Sequence, residues 1–300
     1  MTIADAHCHF FSAGLLRALG REAGVGDDAA IALPAKLGWD APGSDEALGD
    51  RWIAELDRHG VSRAMLIASV PGDEASVATA VRAHPTRIVG AFMFNPAAPD
   101  AEMRLERAFG DLGLSTVCLF PAMHHVSLAD PPAARVFELA ARHRRAVFVH
   151  CGVLSVGVRG KLGLPSRFDL RFGDPLAVAA IAVRHPDVPV IIPHFGAGRL
   201  TEALMAAAAA PNILLDTSSS NSWIRFHPHL TLRDVWARAL DVAGPTRLLF
   251  GTDSSFFPRG WQRALYDVQC AVLDELGVGA DHRALILGGN FARIFPERRP

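Results

Sequence analysis

Eight short runs of aliphatic, β-branched and aromatic residues recur along this 300-residue chain, at residues 3–10, 63–70, 87–94, 115–121, 146–151, 190–194, 213–218 and 247–253. Most are continuous rather than alternating, the pattern of a parallel strand covered on both faces. Between them, residues 73–84, 101–112, 132–144, 175–185, 200–210 and 230–242 carry apolar residues at three- and four-residue spacing, as amphipathic helices do. Proline marks several helix ends, as at His84-Pro85 and His185-Pro186. Eight strands alternating with helices predict an α/β protein, a single-domain (β/α)8 TIM barrel. An open doubly wound sheet is the alternative.

The first strand-to-helix connection is anomalous. Residues 11–50 separate the first strand from its main helix, and loops of that length are uncommon unless functional. A lid or wall over an active site is expected there. Residues 281–295 read as a short helix, a break at Gly288-Gly289 and a second helix.

Composition excludes several classes. Half of the chain is hydrophobic, enough for a large core without disulfides. Thirty Lys+Arg against 31 Asp+Glu leave no basic excess for a nucleic-acid partner. No apolar stretch approaches the roughly 20 residues of a membrane span. The first residues lack the basic and apolar regions of a signal peptide. Cys8, Cys118, Cys151 and Cys270 have no CxxC spacing and read as reduced core residues of a cytoplasmic protein.

In a barrel the site forms at the carboxyl ends of the strands. Those ends carry His7 and His9 on the first strand, His150 on the fifth, His194 on the sixth, Asp216-Thr217-Ser218 on the seventh and Asp253 on the eighth. His7 and His9 share a face, because side chains alternate along a strand. Imidazole and carboxylate groups of this kind are transition-metal ligands, and a catalytic Zn²⁺ keeps one position open. A lone strand-end His is more often a core or loop residue. His7, His9, His150, His194 and Asp253, five groups ending four apolar strands, are harder to attribute to chance.

With His7-x-His9, His150, His194 and Asp253 in this order, the chain resembles the metal-dependent amidohydrolase superfamily. It is most similar to the branch holding amino-carboxymuconate-semialdehyde decarboxylase, resorcylate decarboxylases and several lactonases. The stretches Ile191-Ile192-Pro193-His194-Phe195-Gly196, Leu214-Leu215-Asp216-Thr217-Ser218 and Gly289-Asn290-Phe291-Ala292-Arg293-Ile294-Phe295 carry the same resemblance. It implies that His7, His9, His150 and Asp253 hold a metal, and that Asp253 and His194 are catalytic. Binuclear relatives use a bridging carboxylated lysine on the fourth strand. Residues 115–120 contain none, so one divalent ion is expected, zinc first and manganese as the alternative.

Arg259, six residues after Asp253, is a candidate carboxylate clamp, since guanidinium pairs bidentately with carboxylates. Arg167 and Arg171 read as surface ion-pair residues. His124 and Ser218 are further candidate substrate contacts. The expected reaction is hydrolysis of a lactone or related acyl bond of a small carboxylate-bearing acid. Non-oxidative decarboxylation of an aromatic or muconate-type acid uses the same constellation. A barrel that binds a ligand without catalysis is the non-enzyme alternative. Barrels of this type often dimerise, so a homodimer is an open expectation, although no apolar stripe marks its interface.

Overall fold

The computed structural model describes residues 2–26, 28–218 and 221–297. Eight parallel strands run β1 Ala4–Phe10, β2 Arg63–Ala68, β3 Ile88–Phe94, β4 Thr116–Leu119, β5 Ala146–Val149, β6 Val190–Ile192, β7 Ile213–Asp216 and β8 Leu248–Leu249. Each pairs with its sequence neighbour, in the order β1 to β8. The last strand returns to the first: Ala6 N donates to Phe250 O at 2.8 Å, Asp253 N to His7 O at 2.8 Å and His9 N to Ser254 O at 2.7 Å. These bonds close the (β/α)8 barrel, and the open sheet is excluded.

Alternation sorts each strand into two cores. Met65 and Ile67, Val89, Ala91 and Met93, Cys118, Phe148, Ile191, Leu214 and Leu249 fill the barrel interior, with Phe291 and Phe295 packed against the same set. Leu66, Ala68, Phe92, Val117, Val147 and Ile192 face outward and pack with the helices. All four cysteines are free thiols, three of them buried. No helix among the described residues is long and apolar enough to cross a membrane.

The long first connection is helical. Ala13–Glu22 and Ala29–Leu37 precede the main helix Asp45–Arg58. Ser12 caps the first by accepting from Leu15 N, and Ser44 caps the third by accepting from Ala47 N. Leu15, Leu16, Leu19, Ala29 and Leu33 form a small core of their own with Val158, from the segment after β5. This unit stands as a wall beside the strand ends.

One local expectation is corrected. Gly288-Gly289 does not break the C-terminal helix: a π-helical turn, Leu285–Gly289, joins Ala280–Ala284 to Asn290–Ile294. Gly288 is there for contact. A Cβ on it would lie 2.4 Å from Thr2 O, at the entry to β1. Gly288→Ala is therefore expected to destabilise the protein by about 1–3 kcal/mol, the usual cost of overpacking. Denaturant melts of the two proteins would show an unchanged midpoint if this contact were unimportant.

Candidate metal centre and active site

His7 and His9 lie on β1 at a register shift against β2 that falls between Asp5 and Cys8. The buried carboxylate of Asp5 fixes this irregular backbone. It accepts from His7 N at 2.9 Å, Thr252 Oγ1 at 2.6 Å and Trp261 Nε1 at 2.7 Å. Burial pushes its pKa up to about 6 even though these donors act in the opposite direction. Asp5 thus ties β1 to the segment after β8 that carries Asp253.

Hydrogen bonds set the tautomers of the two imidazoles. His7 Nδ1 lies 2.6 Å from Asp216 Oδ2. A carboxylate only accepts, so Nδ1 holds the proton and Nε2 presents a lone pair. Ser69 Oγ donates to Ile67 O at 2.8 Å, which uses its one hydrogen. It therefore accepts from His9 Nδ1, also at 2.8 Å, and His9 Nε2 is bare as well. Both bare nitrogens face one oxygen: Asp253 Oδ1 lies 3.1 Å from His9 Nε2 and 3.7 Å from His7 Nε2.

Three acceptors converging in this way repel one another unless a cation joins them. The donor atoms of His7, His9 and Asp253 all lie within 4.8 Å of one another, and two imidazoles with a carboxylate suit a borderline divalent ion. The Asp216–His7 contact is also the usual outer support of a metal-binding imidazole. Without a metal, protons take its place. Burial opposes the charge on His7, but Asp216 and Asp253 outweigh it and raise its pKa to about 9. Burial alone would raise the Asp253 carboxyl, yet the His9 hydrogen bond and the charges of His7, His9 and His194 hold it below the ordinary carboxylate range.

His150 reaches the same cavity but is not in that trio. Its ring stacks on Phe120 at 5.3 Å and meets His194 edge-on at 5.4 Å. Its Nδ1 is buried without a hydrogen-bond partner among the described residues. Burial, then the charges of His194 and His7, lower its pKa well below the usual imidazole value, so it stands neutral with a lone pair to offer.

His194 is positioned by an unusual backbone. β6 stops at Ile192, and residues 194–198 all have positive φ: His194 54°, Phe195 52°, Gly196 88°, Ala197 45° and Gly198 94°. Left-handed geometry costs a non-glycine residue about 1–2 kcal/mol, and such conformations gather at functional sites. Val153 N, donating to Ala197 O at 2.8 Å, latches this turn to the segment after β5. Asp253 also has positive φ, 58°. Burial and the charge of His7 lower the His194 pKa.

A cavity of about 1060 Å³ opens above these residues. His9, Phe11, Trp39 and Phe256 form an aromatic side of it, with successive ring centroids 5.8, 5.7 and 4.4 Å apart. Arg259 ends the row, 4.6 Å over Phe256 and held by Ser255 Oγ at 2.6 Å. Arg159, Lys161, Arg167, Arg225 and Arg259 line the cavity, against Glu22 and Asp253. His124 lines it too, its pKa lowered to about 4 by burial and by neighbouring His125. Arg171 stays outside, pairing with Asp169 at the surface as expected.

Ser218, a candidate substrate contact from the sequence, lies beneath the cavity rather than on its lining. It is fully buried and does not line the cavity. Its hydroxyl lies 3.0 Å from His7 Nδ1 and 2.8 Å from His194 Nδ1, between the two imidazoles. Ser69 was not anticipated. Its only signal is its position one residue beyond the β2 strand, at a carboxyl end.

The protein-family model Amidohydro_2, described as amidohydrolase, matches residues 4–296. The chain belongs to the amidohydrolase family. Comparison with curated proteins gives no match. Among solved structures, this amidohydrolase is similar to 5-carboxyvanillate decarboxylase from Sphingomonas paucimobilis, with 19% identity, 99% of each chain covered and a TM-score of 0.65. It is similar to a putative 2-pyrone-4,6-dicarboxylic acid hydrolase from Pseudomonas putida, with 19% identity, 100% of this chain and 99% of that one covered and a TM-score of 0.64. A dihydroxybenzoic acid decarboxylase from Polaromonas sp. JS666, solved with manganese and 2-nitroresorcinol, matches at 17% identity over 100% of this amidohydrolase and 98% of that chain, with a TM-score of 0.63. The family's members are enzymes, hydrolases or decarboxylases, and identities this low establish the shared fold alone.

Proposed function

We propose that this amidohydrolase hydrolyses a lactone or related acyl bond of a small carboxylate-bearing acid. The observation that carries the reading is the convergence of His7 Nε2, His9 Nε2 and Asp253 Oδ1 at the floor of a cation-lined cavity. His7, His9 and Asp253 would hold one divalent ion, with His150 the fourth ligand. Nitrogen donors favour zinc, and the manganese-bound relative makes manganese the alternative. Such an ion supplies Lewis acidity, lowering the pKa of a ligated water towards about 7 and polarising an acyl oxygen.

The chain's own residues do the rest. Asp253 takes the proton of the attacking water as the acyl carbon becomes tetrahedral, then returns it to the leaving oxygen. His194, just beyond β6, offers a hydrogen bond to the oxygen that gains charge. The aromatic side from Phe11 to Phe256 covers the flat part of the substrate, and Arg259 holds its carboxylate. Hydrolysis needs only a carbonyl presented to water and a protonated leaving oxygen. Decarboxylation also needs the breaking C–C bond held across the plane of a conjugated system, a further demand on orientation.

The test is a substrate panel of lactones and carboxylated phenols, followed by ring opening and by CO₂ release. Ring opening is the expected result. Release of CO₂ from a hydroxybenzoate or muconate-type acid, with every lactone intact, would replace hydrolysis by decarboxylation at the same residues.

A further inference from the structure

We infer that Ser218 is a positioning residue that fixes the proton of His194 on Nε2, so that His194 meets the substrate as a neutral hydrogen-bond donor. One buried chain of contacts leaves each hydrogen a single place. Asp216 accepts from His7 Nδ1 at 2.6 Å, so that nitrogen carries hydrogen and has no lone pair. Ser218 Oγ, 3.0 Å from the same nitrogen, therefore accepts the weaker arm of a shared bond and cannot donate to it. Among the described residues its hydroxyl hydrogen has one remaining acceptor, His194 Nδ1 at 2.8 Å. A nitrogen that accepts is bare, so the His194 hydrogen sits on Nε2. The competing contact, from His194 Nδ1 to the Ser218 carbonyl, is longer at 3.4 Å and is the weaker of the two.

The chain is anchored at its far end. Asp216 Oδ1 accepts from Ser218 N at 2.5 Å, so the same carboxylate orients both His7 and Ser218. Both are fully buried, which keeps water from supplying an alternative partner. The Asp216-Thr217-Ser218 segment thus sets two imidazoles in opposite senses. His7 keeps hydrogen on Nδ1 and offers the lone pair of Nε2, while His194 receives at Nδ1 and offers N–H at Nε2. One suits a cation and the other a developing oxyanion, and a neutral imidazole in this tautomer can polarise a carbonyl. His194 then acts as a donor and not as a base.

The kinetic consequence rests on the proposed hydrolysis, whereas the tautomer rests on geometry alone. The two are separated by long-range ¹H–¹⁵N correlation spectra of the ¹⁵N-histidine-labelled enzyme, loaded with zinc to keep it diamagnetic. The signal lost in His194→Asn assigns His194. The expected spectrum has protonated Nε2 and bare Nδ1 at neutral pH. Ser218→Ala should give a mixed tautomer and lower kcat by about 10- to 100-fold, the usual effect of removing an outer support, with KM and zinc content unchanged. Ser218→Thr should restore both the spectrum and kcat. A wild-type spectrum with the His194 proton on Nδ1 overturns the inference, whatever the substrate panel shows and whether or not Ser218→Ala folds. An unaltered His194 signal in folded Ser218→Ala overturns it too.

Discussion

Asp253→Asn is expected to lower kcat by about 10³-fold or more, since losing a metal-held reaction centre removes several kcal/mol and each 1.36 kcal/mol is tenfold. Asparagine keeps the size of the side chain and its oxygen. It removes the charge that binds a cation jointly with His7 and His9, and it removes the proton acceptor. The choice of asparagine separates chemistry from folding. Asp253 has φ 58°, a conformation that Asn adopts more readily than other non-glycine residues, so the backbone tying the end of β8 to β1 survives. Kinetics on the substrate that the panel identifies would give a near-wild-type kcat if Asp253 merely braced the barrel.

The second large effect is expected from His194→Asn, a loss of about 10²–10³ in kcat, the range for removing one hydrogen-bond donor to a developing oxyanion. Asparagine again tolerates the positive φ, here 54°. His194 is outside the trio of converging donor atoms, so metal content should stay at the wild-type level. Loss of metal in this variant would move His194 into the ligand set.

The barrel was legible because its signal is repeated eight times: continuous apolar runs separated by helical periodicity admit few other arrangements. His7, His9, His150, His194 and Asp253 are legible from their places at strand ends, and all five line one cavity. What was not legible depends on angles and hydrogens. The sequence predicts β8 over residues 247–253, but it is regular at Leu248–Leu249 alone, because Phe250 N donates to Ile286 O in the C-terminal helical segment instead of along the sheet. The role of Ser218 follows from which atom of His7 carries hydrogen, and that depends on Asp216 across the barrel, 209 residues away in the chain. Gly288-Gly289 looks like a helix stop in sequence, because a close approach to Thr2 leaves no local trace. The helix Arg263–Glu275 was missed for a related reason: Gln262 caps it with no side-chain bond, so the usual start signal is absent. Residues 11–50 were marked by length alone. Their two extra helices bury the apolar face of Leu15, Leu16 and Leu19 against Val158, a partner that no local pattern reveals.

The central claim is that His7, His9 and Asp253 are brought together to hold a divalent metal ion. Elemental analysis of the purified protein tests it most directly, repeated after chelation and on His7→Ala and His9→Ala. The account predicts about one zinc or manganese ion per wild-type chain, turnover lost on chelation and regained when the ion is restored, and clearly less metal in both variants. Full metal content and full turnover in both variants would contradict it.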